Sequence, residues 1–123
     1  VRVLFLGRAT ATSRGIVTAM LLEGGITGVV VLTRHGLQRF AHEEAQRLRT
    51  PIEHVRADPG RMGAFAGVVA ATQAAATGRI DLVVAVAPTP SDLEIVNAMR
   101  KVGVRTAVGR FRPGLRTVDW GSS

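Results

Sequence analysis

Two runs in this chain, Val29-Val30-Val31-Leu32 and Leu82-Val83-Val84-Ala85-Val86, are apolar at every position. A strand with one face in water alternates apolar and polar residues, whereas a parallel strand covered by helices on both faces does not. These two runs therefore predict the centre of a parallel sheet. Three further short runs rich in β-branched residues, at 3–6, 52–55 and 104–108, complete a set of five strands with 28–32 and 82–86.

The intervening segments have helical spacing. Residues 16–23 carry Ile16, Val17, Met20 and Leu21 and stop at Gly24-Gly25. Residues 37–48 place Leu37, Phe40, Ala41, Glu44, Ala45 and Leu48 three and four apart, with Pro51 preventing continuation. Residues 62–76 form an alanine-rich helix ending at Thr77-Gly78, suited to close approach to a sheet. Residues 91–102 open on Ser91 with Glu94 three positions later, which reads as a capping box, and close at Gly103.

Strands alternating with helices, joined by right-handed crossovers, predict an α/β fold: a three-layer, doubly wound sheet of five parallel strands in the order 3-2-1-4-5. The first, second and fourth strands are expected at the centre, with the third and fifth at the edges. One domain is expected over residues 1–118, with 119–123 as a tail. The chain enters its first strand directly from Val1, so the expectation is a start without a signal peptide, at a processed or excised boundary.

In such a sheet a ligand lies beyond the carboxyl ends of the strands, where the first and fourth diverge. The stretches to inspect are 7–15, 33–36, 58–60 and 87–91. The first, Gly7-Arg8-Ala9-Thr10-Ala11-Thr12-Ser13-Arg14-Gly15, is a small-residue loop feeding a helix. It reads as a phosphate cradle, with free amides at the helix start, hydroxyls from Thr10, Thr12 and Ser13, and charge from Arg8 or Arg14. It reads equally as a plain strand-to-helix turn with a Ser/Thr cap, because it lacks both the G-x-G-x-x-G spacing and the Gly-Lys-Ser/Thr of a P-loop.

Composition narrows the chemistry. There is no cysteine and no tyrosine, and Lys101 is the only lysine, so thiolate nucleophiles, cysteine metal sites and a Tyr–Lys catalytic pair have no residues to use. Mean hydropathy is +0.22, with no apolar run long enough for a membrane span. A cytoplasmic location is the expectation. The histidines, His35, His42 and His54, lack metal-ligand spacing and read as structural or solvated. Glu43 and Glu44 read as water-facing partners of Arg39 and Arg47. Asp81 reads as a turn residue at the amino end of its strand, and Asp92 as a carboxylate favoured by a helix dipole.

The formal charge is +7, and no acidic residue occurs from 95 to 118, where Arg100, Lys101, Arg105, Arg110, Arg112 and Arg116 fall. This tract reads either as a solvated face or as a surface for an acidic partner or nucleic acid.

Over residues 1–87 the chain resembles the cofactor half of short-chain dehydrogenases/reductases, a Rossmann-like domain. The resemblance is carried by Gly7 to Gly25, by Val29-Val30-Val31-Leu32-Thr33-Arg34, by Arg56-Ala57-Asp58 and by Gly78-Arg79-Ile80-Asp81-Leu82-Val83-Val84. It implies that Gly7, Ala9, Thr10, Thr12, Ser13 and Gly15 hold a pyrophosphate, that Arg34 favours the 2′-phosphate of NADP, that Asp58 contacts adenine, and that Ala87 lies beside the cofactor. The triplet Gly7, Ala9 and Ser13 is also similar to the variant loop of enoyl reductases. The family's second and third loop glycines are replaced, Thr12 and Arg14 standing nearest, and its Asn-Asn-Ala-Gly tract is Val86-Ala87-Pro88-Thr89 here. The resemblance thus implies binding of a nucleotide without a complete catalytic set.

A second similarity, to methylglyoxal synthase-like domains, rests on Pro51-Ile52-Glu53-His54-Val55, Pro59-Gly60-Arg61, Gly78 to Val84 and Ser91-Asp92-Leu93-Glu94-Ile95. It implies a domain that binds phosphorylated ligands or acts as an allosteric module. Its phosphate loop would be Thr33-Arg34-His35-Gly36, and its Gly-Gly-Asp segment is missing from 60–64. A non-catalytic interaction domain using the arginine-rich face is the third reading.

Overall fold

The computed structural model describes residues 1–33, 35–55, 66–111 and 118–122. Along the chain run β1 (Arg2–Gly7), α1 (Ala11–Glu23), β2 (Gly28–Val31), α2 (Gly36–Arg47) and β3 (Ile52–His54). There follow α3 (Ala66–Ala76), β4 (Leu82–Val86), α4 (Pro90–Lys101), β5 (Arg105–Phe111) and β6 (Val118–Ser122). The first five strands pair in parallel in the order 3-2-1-4-5, the doubly wound arrangement expected from the apolar runs.

The sheet does not end at β5. Residues 118–122, expected to lie in or beside a tail, form β6 and pair antiparallel to β5, with Gly109 opposite Trp120. β5 is therefore an interior strand, and the edges among the described residues are β3 and β6.

Alternation along the strands sends side chains to two helical layers. Leu4, Leu6, Val30, Val83, Ala85 and Val108 pack with Ala70, Ala71, Ala74, Ile95, Val96 and Met99 of α3 and α4. Val3, Phe5, Val29, Val31, Val84 and Val86 pack with Val17, Leu37, Ala41 and Ala45 of α1 and α2. Leu4, Phe5, Leu6, Leu37 and Met99 are fully buried, each contributing about 1.5–3 kcal/mol through loss of apolar surface to water. Small residues bring α3 close: a Cβ at Gly67 would meet Ile95 Cδ1 of α4 at 3.3 Å. No helix among the described residues is long and apolar enough to cross a membrane.

Two helix starts depart from expectation, while the closures at Gly78 and Gly103 fall where expected. α1 begins at Ala11, five residues before the expected 16, because Thr10 and Ser13 form a capping box. α4 is capped by Thr89 with Asp92, not by Ser91 with Glu94, and Pro90 occupies its first turn where a missing N–H costs nothing. Three helices close with paired backbone bonds of the Schellman type. In α3, Gly78 N donates to Ala75 O and Arg79 N to Ala74 O. In α4, Gly103 N donates to Arg100 O and Val104 N to Met99 O. In α2 the same pattern runs from Arg49 N to Gln46 O and from Thr50 N to Ala45 O, with Arg49 held at φ 58°.

Asp81 sits in a bend at the amino edge, accepting from Arg2 N at 2.8 Å through Oδ2 while its own N donates to Arg2 O. It aligns β4 with β1 there.

Candidate functional site

At the carboxyl edge, where β1 and β4 part, lies a cavity of about 210 Å³. The end of β1 and the residue after it contribute Gly7 and Arg8, the loop after β2 contributes Thr33, the start of α2 contributes His35, Gly36 and Gln38, and the start of α4 contributes Thr89 and Asp92. Backbone contact makes its floor. Gly7 adopts φ 122°, and a Cβ there would overlap the carbonyl of Val86. Gly36 adopts φ 54°, and its added Cβ would stand 2.6 Å from Gly7 O. The β1 terminus and the first turn of α2 thus approach more closely than any side chain permits.

Of the three described helix starts around this edge, α1 and α4 carry threonine capping boxes and α2 does not. At α1 the Ser13 amide donates to Thr10 Oγ1 at 3.1 Å, and the Thr10 amide donates to Ser13 Oγ at 2.7 Å. Ser13 Oγ in turn donates to Arg8 O at 2.6 Å. At α4, Asp92 N donates to Thr89 Oγ1, while Asp92 Oδ2 accepts from Thr89 N at 2.9 Å and from Thr89 Oγ1 at 2.8 Å. α2 has no side-chain cap: His35 occupies the N-cap position, and its imidazole makes no capping bond.

Gln38, in the first turn of α2, is 7% exposed. Its Oε1 accepts from Leu32 N at 2.8 Å and from Thr33 N at 3.2 Å, tying α2 to the end of β2. Two converging N–H donors settle which end of the amide is oxygen.

The expected loop residues are placed as follows. Gly7 lines the cavity, whereas Ala9, Thr10, Thr12, Ser13, Gly15 and Ala87 do not. Thr12, Ser13 and Gly15 are in α1 itself, and Ser13 is fully buried, with its hydroxyl spent on the cap. Of the loop over residues 7–15, Gly7 and Arg8 line this cavity. Of the two arginines proposed for charge, Arg8 lines the cavity, while Arg14 lies 6.0 Å from the centroid of the Phe40 ring. Ala87 follows β4 at φ 49° and donates to Gly109 O at 2.9 Å. Arg34 and Asp58 lie outside the described residues, as does the 60–64 segment.

Gln38, Thr89 and Asp92 were not candidate ligand contacts on sequence grounds. Thr89 was visible as part of an edge stretch, but no spacing signal marks Gln38, whose role depends on where β2 ends.

The other titratable groups are distributed away from the cavity. The Arg39–Glu43 pair forms at 3.3 Å as expected. Glu44 instead is buried between α1 and α2, accepting from Arg47 and from Thr18. Those bonds, Arg47 first and Thr18 second, hold its carboxyl below the usual range against the opposing effect of burial. The His42 and His54 rings stand 5.2 Å apart, and no group of three metal-ligating side chains occurs among the described residues. In the basic tract, Arg100 Nε donates to Thr106 Oγ1 at 2.9 Å, and Lys101 and Arg105 are exposed. Arg112 and Arg116 lie outside the described residues, as does the Arg110 side chain.

No protein-family model and no curated protein matches this chain.

Proposed function

We propose that this domain binds a phosphorylated small molecule or a nucleotide, NADP being one candidate, at the carboxyl edge of its sheet, and that the chain holds no complete catalytic set. The observation that carries this reading is the cavity over Gly7 and Gly36, opening on the one capless helix start among α1, α2 and α4. Unsatisfied amides and the positive end of the helix dipole favour an anion there. Arg8, which lines the same cavity, adds a positive charge. Both resemblances in the sequence, to short-chain dehydrogenases/reductases and to methylglyoxal synthase-like domains, lead to a phosphorylated ligand at this edge. The second puts its phosphate loop on Thr33, Arg34, His35 and Gly36, three of which line the cavity.

The test is a thermal-shift panel of NADPH, NADH, inorganic phosphate, phosphorylated sugars and short nucleic acids. A ligand at 100 times its Kd stabilises the fold by about 2.7 kcal/mol, a shift of several degrees for a domain of this size. Stabilisation by a phosphorylated small molecule, lost in Arg8→Glu, supports the reading. Stabilisation by nucleic acid alone, falling steeply with salt and lost in Lys101→Ala with Arg105→Ala, supports an electrostatic interaction domain instead. With no tyrosine in the sequence, the chain alone is expected not to reduce carbonyls with NADPH.

A further inference from the structure

We propose that the phosphate is seated at the start of α2, read by the side-chain amide of Gln38, and that the ligand is a small sugar phosphomonoester with a free hydroxyl for Asp92. This rests on the binding reading above and narrows it: a dinucleotide pyrophosphate across α1 is not the ligand.

Three observations lead there. The first is that α1 has capped the Ser13 amide at its own start. The Ser13 amide is held by Thr10 Oγ1, and the fully buried Ser13 hydroxyl is held between Thr10 N and Arg8 O. A phosphate arriving there would have to displace a capping box, and the Arg14 Nε beside it is already donating to Thr10 O at 3.4 Å.

The second is the state of Gln38. The residue is more than nine-tenths buried, and its oxygen is committed to Leu32 N and Thr33 N. Its Nε2 makes no hydrogen bond with any described residue, yet no side-chain polar atom among them is both buried and unpartnered. The amide NH2 therefore keeps some exposure, on a residue that lines the cavity. A donor fixed in place from behind, on a residue lining a cleft, is arranged to meet an acceptor. It stands in the same first turn as the capless amides of α2, so the donors converge on one oxygen-rich group.

The third is the opposite wall. Asp92 lines the cavity with Oδ2 engaged by Thr89, leaving Oδ1 without a hydrogen bond among the described residues. A carboxylate facing a bound phosphate repels it unless a donor stands between them, so the ligand must present a hydroxyl on that side. A volume of about 210 Å³ is below the roughly 300–1,000 Å³ of pockets that enclose drug-sized ligands, which suits a sugar phosphate rather than a dinucleotide.

The experiment is a titration of 15N-labelled full chain with inorganic phosphate, ribose 5-phosphate and NADPH, followed by amide shifts. Ribose 5-phosphate is expected to move the backbone amides of Gly36, Leu37 and Gln38 and the Gln38 side-chain NH2, and to bind at least tenfold tighter than inorganic phosphate. Gln38→Glu keeps an acceptor for Leu32 N and Thr33 N but replaces the donor with a negative oxygen. It should weaken ribose 5-phosphate at least tenfold, while Ala11→Glu, in the first turn of α1, should change it less than twofold. Shifts centred on residues 11–13, or loss of binding in Ala11→Glu with Gln38→Glu intact, would overturn the inference and leave the binding reading standing. NADPH binding at least tenfold tighter than ribose 5-phosphate would do the same. Should none of the three probes bind, both fall. Because the shifts are mapped on the unaltered chain, the outcome does not depend on Gln38→Glu folding.

Discussion

Thr18 on α1 donates its hydroxyl to the carboxylate of Glu44 on α2, whose other oxygen accepts from Arg47. The bond spans the two helices of one layer and lies in a part-buried setting, where a missing partner is costly to leave unreplaced. Glu44→Ala should destabilise the fold by about 1.5–3 kcal/mol, the range for hydrogen bonds to charged groups. Thr18→Val should cost about 1 kcal/mol, since Arg47 still accompanies the carboxylate. Urea denaturation of the single and double variants measures both and their coupling.

The same carboxylate sets an acid response. Its pKa is lowered in the folded state by Arg47 and Thr18, so the folded protein binds this proton less readily than the unfolded chain does. The stabilisation is fully present above the unfolded glutamate value of about 4.3 and is lost as pH falls through the lower folded value. Unfolding free energy measured from pH 7 down to pH 3 should therefore fall more steeply for the wild type than for Glu44→Gln.

Gly36→Ala tests the cavity floor. The new Cβ meets Gly7 O at 2.6 Å on a residue already at φ 54°, and strain of both kinds costs about 1–3 kcal/mol. The variant should melt lower and bind ribose 5-phosphate more weakly, because relief requires α2 to move away from β1.

Arg49 holds at φ 58° a position that glycine holds in α3 and α4. Arg49→Gly should stabilise the protein by about 0.5–1 kcal/mol, the left-handed penalty of a side chain outweighing the entropy glycine adds to the unfolded state. A rise in thermal midpoint with unchanged urea m-value is the expected result. Gly103→Ala, at φ 85°, should move the midpoint the other way.

The identity of the α4 cap is open to a paired test. Thr89→Ala removes the hydroxyl half of the capping box, leaving the backbone amide at 89 to donate to Asp92 Oδ2, and should cost about 1 kcal/mol. Ser91→Ala, exposed one residue into the helix, should stay within about 0.5 kcal/mol of wild type. Equal losses would return the cap to Ser91.

What was legible in the sequence follows from periodicity that burial imposes locally. Strands apolar at every position must lie between two helical layers, and that requirement, with right-handed crossovers, was enough to place β3-β2-β1-β4-β5 in order. Asp92 at a helix start and glycines at helix ends were legible for the same reason, since each answers to backbone groups a few residues away. Tertiary contact decided the rest. The pairing of 118–122 with β5 depends on an antiparallel partner being within reach, which short-range pattern does not encode. Glu44 reads as a surface residue until α1 brings Thr18 against it. Gln38 becomes a candidate ligand contact once β2 ends beside α2 and takes its oxygen, leaving the NH2 unbonded on a residue that lines the cavity. Local chemistry determined which segments are strands and helices, while the groups left over for a ligand were decided by which donors and acceptors the packed elements had already used.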